Sequence, residues 1–310
     1  MRESPYDQDD LLGLLVPTLH LRHGAAEAQL GAGLRGYAQV LFSTSPWVGG
    51  ALLIASMAVP RLGLAGLAAV LFAGLIARSR GLERLDSGML GYNPLLLGWA
   101  LSVAVPGWWL WPLIAAGVPL VLAAQVGLER VMPRGLPVLS LPYVAVTWAA
   151  FLLMERVLGL PVVMALPAPL VAPLPLLDGP ARALGALVFI PHWGAGLLVS
   201  LALWALRPRT GVAALALVAL GLPMAVAAGV PEGIFVEVVA FNALLGGVAL
   251  SEAFPRAREG ALDAFLLGAA LSGAMAAGMA MVLPWPVLTL PFNGVVLAAL
   301  GWRALRARGA

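Results

Sequence analysis

The strongest constraint on the fold of this chain is that it repeats itself. Gly88-Met89-Leu90-Gly91-Tyr92-Asn93-Pro94-Leu95-Leu96-Leu97-Gly98 is followed by Leu136-Pro137-Val138-Leu139-Ser140-Leu141-Pro142-Tyr143. Further on, Ala240-Phe241-Asn242-Ala243-Leu244-Leu245-Gly246-Gly247 is followed by Trp285-Pro286-Val287-Leu288-Thr289-Leu290-Pro291-Phe292. Asn93 and Asn242 are 149 residues apart, and so are Ser140 and Thr289. A glutamate stands ten residues before each asparagine, Glu83 and Glu232. Two motifs that share one offset mark a chain built from two copies of a unit of about 150 residues.

What such a unit folds into follows from its composition. The chain is 61% hydrophobic and 11% charged, with a mean hydropathy of +0.96. A soluble domain needs about 25% charged residues to cover its surface, so the reading is a polytopic membrane protein of all-α class. Apolar runs near the length of a membrane-crossing helix lie at roughly 46–60, 61–77, 88–105, 107–127 and 137–155. A second set lies at roughly 193–206, 211–229, 233–251, 261–283 and 285–303, which makes about ten transmembrane helices, five per copy. Several are short or interrupted by proline and glycine at matching places, the mark of broken, half-spanning helices at a central site.

An odd number of crossings per copy makes the second copy enter from the opposite side. The expected architecture is therefore two inverted five-helix repeats. Repeat one is expected over 31–156 and repeat two over 181–310. A linker at 157–180 joins them, with Pro161, Pro167, Pro169, Pro173, Pro175 and Pro180 arguing against a continuous helix. Residues 1–30 read as an interfacial segment with no cleavable signal peptide. Trp108, Trp109 and Trp111 read as an interfacial aromatic belt.

Charge and motif content narrow the function classes. Net charge is +3, and all 18 basic residues are arginine. They sit singly or in small groups between apolar runs, as loop charges facing anionic lipid do; no nucleic-acid-binding motif accompanies them. With no cysteine, disulfides and thiolate metal sites are excluded. His20, His23 and His192 form no metal-binding pattern, and His192 reads as packing. No cofactor is expected. The chain has no phosphate loop, no nucleophile elbow and no buried ladder of carboxylates for protons. Passive flow is favoured over a pump or an intramembrane enzyme.

The polar residues in the apolar runs are the candidates for a site. Gln39, Asn93, Ser140, Asn242 and Thr289 lie in or beside apolar segments, and Glu83 and Glu232 near helix starts. Each has a second reading. The amides and hydroxyls serve equally well as ties between helices, and the asparagines as anchors for broken backbone. Glu83, between Arg80 and Arg84, reads as a surface ion pair or a site; Glu232, with no arginine beside it in sequence, is the better candidate. Side-chain oxygens of glutamine, asparagine and glutamate, with freed backbone carbonyls, make a row of acceptors, and a central hydroxyl either donates or accepts. Such a row, with Phe42 and Phe189 as flat walls, suits a small neutral ligand rich in N–H groups.

Four features resemble the urea transporter family. They are Leu34-Arg35-Gly36…Gln39…Phe42…Pro46…Gly49-Gly50, Gly88…Gly91-Tyr92-Asn93, the paired Leu-Ser-Leu-Pro-Tyr (139–143) and Leu-Thr-Leu-Pro-Phe (288–292), and the doubled layout. The resemblance implies a homotrimer in the cell membrane, the inner one in a bacterium, with one pore per protomer. Urea would pass in single file down its gradient. Gln39 and Glu83 would stand at one end of an acceptor ladder and Glu232 at the other, with Ser140 and Thr289 at the constriction. Phe42 and Leu97 would form one slot, and Phe189 or Leu187 the second, with Leu245 opposite. The chain departs from the family pattern in lacking a second glutamine, in serine at 140, in Ala240 for a glycine, and in Glu237 where the first copy has Gly88. The expected function is passive, channel-type transport of urea. The alternative is a channel for another small neutral solute, a short amide or ammonia, and an intramembrane enzyme ranks last.

Overall fold

Leucine, alanine, valine and glycine dominate the apolar runs, and in a medium without water their backbone must satisfy itself, which helices do. The computed structural model describes residues 25–80, 88–133, 135–164, 166–170, 172–206, 208–227, 229–253, 260–283 and 285–309. Among these residues are twelve α-helices of eleven residues or more and no strand. In the first half they are α1 (Ala25–Ala38), α2 (Pro46–Met57), α3 (Pro60–Ser79), α4 (Met89–Ala104), α5 (Leu110–Val131) and α6 (Leu141–Arg156). In the second they are α7 (Pro175–Gly185), α8 (Trp193–Leu206), α9 (Pro208–Ala227), α10 (Ala240–Ala253), α11 (Gly260–Val282) and α12 (Leu290–Gly309). Four stretches are long and apolar enough to cross a membrane: α3, Gly107–Val131, α9 and Leu262–Val282. Taking each of two bent pairs as one crossing makes six. Leu64, Leu75, Leu220, Met224 and Leu266 on these spans are exposed. In water such faces would aggregate; in a bilayer they meet acyl chains.

The two bent pairs are alike in detail. α1 runs through a 3₁₀ turn, Gln39–Leu41, and meets α2 at 81°; α7 runs through Ala186–Val188 and meets α8 at 77°. Each turn is closed in the same way. Phe42 N–H donates to the Gln39 carbonyl and Ser43 N–H to that of Ala38; Phe189 N–H donates to Ala186 and Ile190 N–H to Gly185. This double closure is a helix-ending motif that normally puts glycine in the left-handed position. The bend then folds α2 onto α1. A Cβ on Gly49 would sit 1.7 Å from the Leu34 carbonyl oxygen, and one on Gly196 1.7 Å from that of Ala181. Both contacts require glycine.

Two expectations shift. A helix opens at Pro175, near the end of the stretch where no continuous helix is expected, because proline in a first turn lacks only an N–H that has no helical partner anyway. The run expected at 233–251 is broken into a turn at Glu232–Ile234, a π-helical stretch Phe235–Val239, and α10. Trp108 and Trp111 are exposed, and Trp109 stacks on Trp108.

Candidate functional site

Four non-glycine residues among those described have positive φ: Phe42 (54°), Leu139 (48°), Phe189 (61°) and Leu288 (53°). The left-handed conformation costs an L-residue about 1–2 kcal/mol, and such strain collects at functional sites. Here it falls on matching positions of the two halves. Leu139 and Leu288 immediately precede the central hydroxyls, Ser140 and Thr289.

The asparagines hold those two bends. Asn93 Nδ2 donates to the Leu139 carbonyl (3.1 Å) and its Oδ1 accepts from Tyr143 N–H (3.3 Å). Asn242 Nδ2 donates to the Leu288 carbonyl (2.9 Å) and its Oδ1 accepts from Phe292 N–H (3.3 Å). Each amide thus satisfies the backbone on both sides of a helix start. Both asparagines are fully buried, a layer behind the residues that line open space. Gln125, on α5, supports Asn93: its Oε1 accepts from Asn93 Nδ2 (3.2 Å) and its Nε2 donates to the Met89 carbonyl (3.1 Å).

That open space is two cavities, of about 120 and 100 Å³. The first is lined by Gln39, Phe42, Met89, Tyr92, Pro137, Val138 and Leu139, and the second by Ala186, Phe189, Val238, Phe241, Pro286, Val287 and Leu288. These are the same seven positions, displaced by 147 residues at the bent pair and by 149 elsewhere. The second cavity adds only Met164 and Leu166. The first adds residues of both halves, including Gln125, Glu129, Glu252, Val296 and Leu300. Polar side chains therefore mark one cavity, while apolar ones line the other.

Each cavity is lined by the leucine that precedes one member of a hydroxyl pair. Ser140 Oγ and Thr289 Oγ1 lie 2.7 Å apart, fully buried. Asn293, one turn into α12, completes the cluster: its Oδ1 accepts from Ser140 N–H (3.2 Å), and its Nδ2 donates to Ser140 Oγ (3.0 Å) and to the Thr289 carbonyl (2.9 Å). Tyr92 lines the first cavity. Aromatic rings stand on either side. Phe42 meets Phe292 edge to face at 6.2 Å, and Phe189 meets Phe241 and Trp99, each at 6.2 Å.

The other expected site residues are dispersed. Neither Leu97 nor Leu245 lines either of these two cavities; both are buried. With the offset of 149 kept, Leu245 corresponds to Leu96 and Leu97 to Gly246. Leu187 is buried in the second 3₁₀ turn. Glu83 lies outside the described residues. Glu232, unaccompanied by arginine in sequence, is paired in space: Arg182, fifty residues earlier, bonds its carboxylate and also Asp178 (2.9 Å). Folding α7 against the turn that opens the π-helical stretch brings that arginine across. His192 is buried against the linker, with Nε2 2.7 Å from the Ala168 carbonyl. Asn293, Gln125 and Tyr92 escaped the sequence reading. The available signal was a polar side chain where the other copy has Val144, Ala274 and Phe241.

A family model described as Urea transporter matches residues 30–304. A comparison with curated proteins found no match.

Proposed function

The chain belongs to the urea transporter family, and on that premise we propose that its two cavities are the mouths of one urea passage that narrows at Ser140 and Thr289. The function is passive, facilitated transport of urea across a membrane. The observation that supports the passage is the pairing of the cavities: seven equivalent positions line each, among them the leucine that precedes one of the two bonded hydroxyls. Two like cavities meeting at one constriction are what a duplicated chain makes if its halves face opposite ways, so the inverted-repeat organisation belongs to this proposal. So do the boundaries 31–156, 157–180 and 181–310.

Urea is flat, with four N–H donors and one carbonyl. In the first mouth the Gln39 side-chain oxygen and the Glu129 and Glu252 carboxylates supply acceptors. Phe42 and Phe189, each fixed by a left-handed backbone, present rings to the two mouths. At the centre a hydroxyl donates to the urea carbonyl or accepts from its N–H. Asn93 and Asn242 act by holding the backbone at Leu139 and Leu288, and Glu232 lies toward one end of the pathway. A homotrimer with one passage per protomer, in the inner membrane of a bacterial cell, follows from the resemblance. It is tested by the mass of the detergent-solubilised protein.

Flux decides the proposal. Vesicles containing the protein, mixed rapidly with urea, acetamide or glycerol, should re-swell fastest in urea. Urea entry no faster than in empty vesicles would reject the transport reading, and faster entry of acetamide would move the solute to the short amides.

A further inference from the structure

The offset of 149 pairs Asn293 with Val144, so the centre of the passage carries an amide on one side only. Asn293 is fully buried. Two backbone groups fix its orientation: Oδ1 faces the Ser140 N–H and Nδ2 faces the Thr289 carbonyl. A flipped amide would set donor against donor and acceptor against acceptor. Held this way, it offers Ser140 Oγ a donor, Nδ2 at 3.0 Å, and an acceptor, Oδ1 at 3.2 Å. Thr289 Oγ1 has Ser140 at 2.7 Å and Asn293 Nδ2 only at 3.5 Å.

A hydroxyl has one proton to give and two lone pairs. If the 2.7 Å bond opens, Ser140 still accepts from Nδ2 and still gives its proton to Oδ1. Thr289 is left without a close partner, which burial disfavours. We propose that Asn293 is a positioning residue that holds Ser140 and thereby makes Thr289 the one hydroxyl that turns to the passing solute. The inference rests on the urea-passage reading. Solute N–H or carbonyl then takes the place of Ser140 at Thr289. Without Asn293, Ser140 loses both amide partners and depends on Thr289, so the pair would stay shut.

The test compares vesicles carrying Ser140→Ala, Thr289→Val, Asn293→Val, and Asn293→Val combined with Ser140→Ala. Thr289→Val should lower urea flux about tenfold, the weight of one lost buried hydrogen bond, and clearly more than Ser140→Ala does. Asn293→Val should also lose about tenfold, and adding Ser140→Ala should restore most of it, because nothing then holds Thr289. Equal losses in Ser140→Ala and Thr289→Val would overturn the proposal, and that comparison needs no change at Asn293. A loss in Asn293→Val that persists in the double variant would also overturn it. Deuterium exchange at the Ser140 amide reads the clamp independently of flux: Asn293→Val should speed it, and an unchanged amide would refute the clamp. If wild-type vesicles moved no urea, the transport reading would fail, and the exchange result would still decide what Asn293 holds.

Discussion

Replacing Asn242 by leucine separates two roles that its sequence position leaves open. As a tie, Asn242 makes three bonds: Nδ2 to the Val238 and Leu288 carbonyls, and Oδ1 from Phe292 N–H. Leucine matches its size and removes all three. Hydrogen bonds in membrane proteins average about 0.6 kcal/mol, because the unfolded chain finds other partners, which gives roughly 2 kcal/mol as the smaller figure. The larger comes from orphaned backbone. The Leu288 carbonyl and Phe292 N–H are buried, and each unpaired group costs about 1–3 kcal/mol. The expected loss is roughly 2–6 kcal/mol, and it lands on a residue already strained at φ 53°. Heating the detergent-solubilised protein and measuring the fraction that stays monodisperse gives the stability. Stopped-flow urea entry into vesicles gives the flux. Both should fall, and Asn93→Leu should behave alike, since its amide binds the Leu139 carbonyl and Tyr143 N–H in the same way. Full stability with lost flux would refute the reasoning: the asparagine would then touch the solute and not merely hold the wall.

Three further outcomes follow from other parts of the structure. Gly49→Ala and Gly196→Ala each force a Cβ to 1.7 Å from a backbone oxygen, so each should cost more than about 4 kcal/mol; a near-normal yield of folded protein would mean that the bends are looser than they look. Thr289→Trp fills the constriction and should abolish urea flux at an overpacking cost of about 1–3 kcal/mol, with flux and thermal midpoint measured on one preparation. Urea entry should not change when a proton or sodium gradient is imposed across the vesicle wall, because passive flow is coupled to neither; a gradient-dependent rate would exclude a channel.

Much of the fold could be read from spacing alone, because helices in lipid are set by local composition. Each apolar run expected from the sequence begins or ends within a few residues of a helix, except where the run at 233–251 breaks into a π-helical stretch. The left-handed bends at Phe42 and Leu139 were hidden. Glycine usually announces such a bend, and these sites carry phenylalanine and leucine, whose strain is held by distant groups such as the Asn93 amide. The Arg182–Glu232 pair was hidden for a related reason: its members are fifty residues apart, and tertiary packing alone joins them.

Repetition also biases what a reader notices. Comparing the two copies brings forward what they share: Asn93 with Asn242, Ser140 with Thr289, Phe42 with Phe189. Those shared residues build a symmetric frame, and a symmetric frame by itself gives a solute two equivalent mouths and two equivalent hydroxyls. On the proposed reading, any difference between the two ends comes from the mismatches. Gln39 faces Ala186 across the pairing, Tyr92 faces Phe241, and Asn293 faces Val144. In each case the polar member lines the first cavity or belongs to the central cluster. If the two cavities are one passage, the shared residues hold its frame and the mismatched ones make its two ends differ.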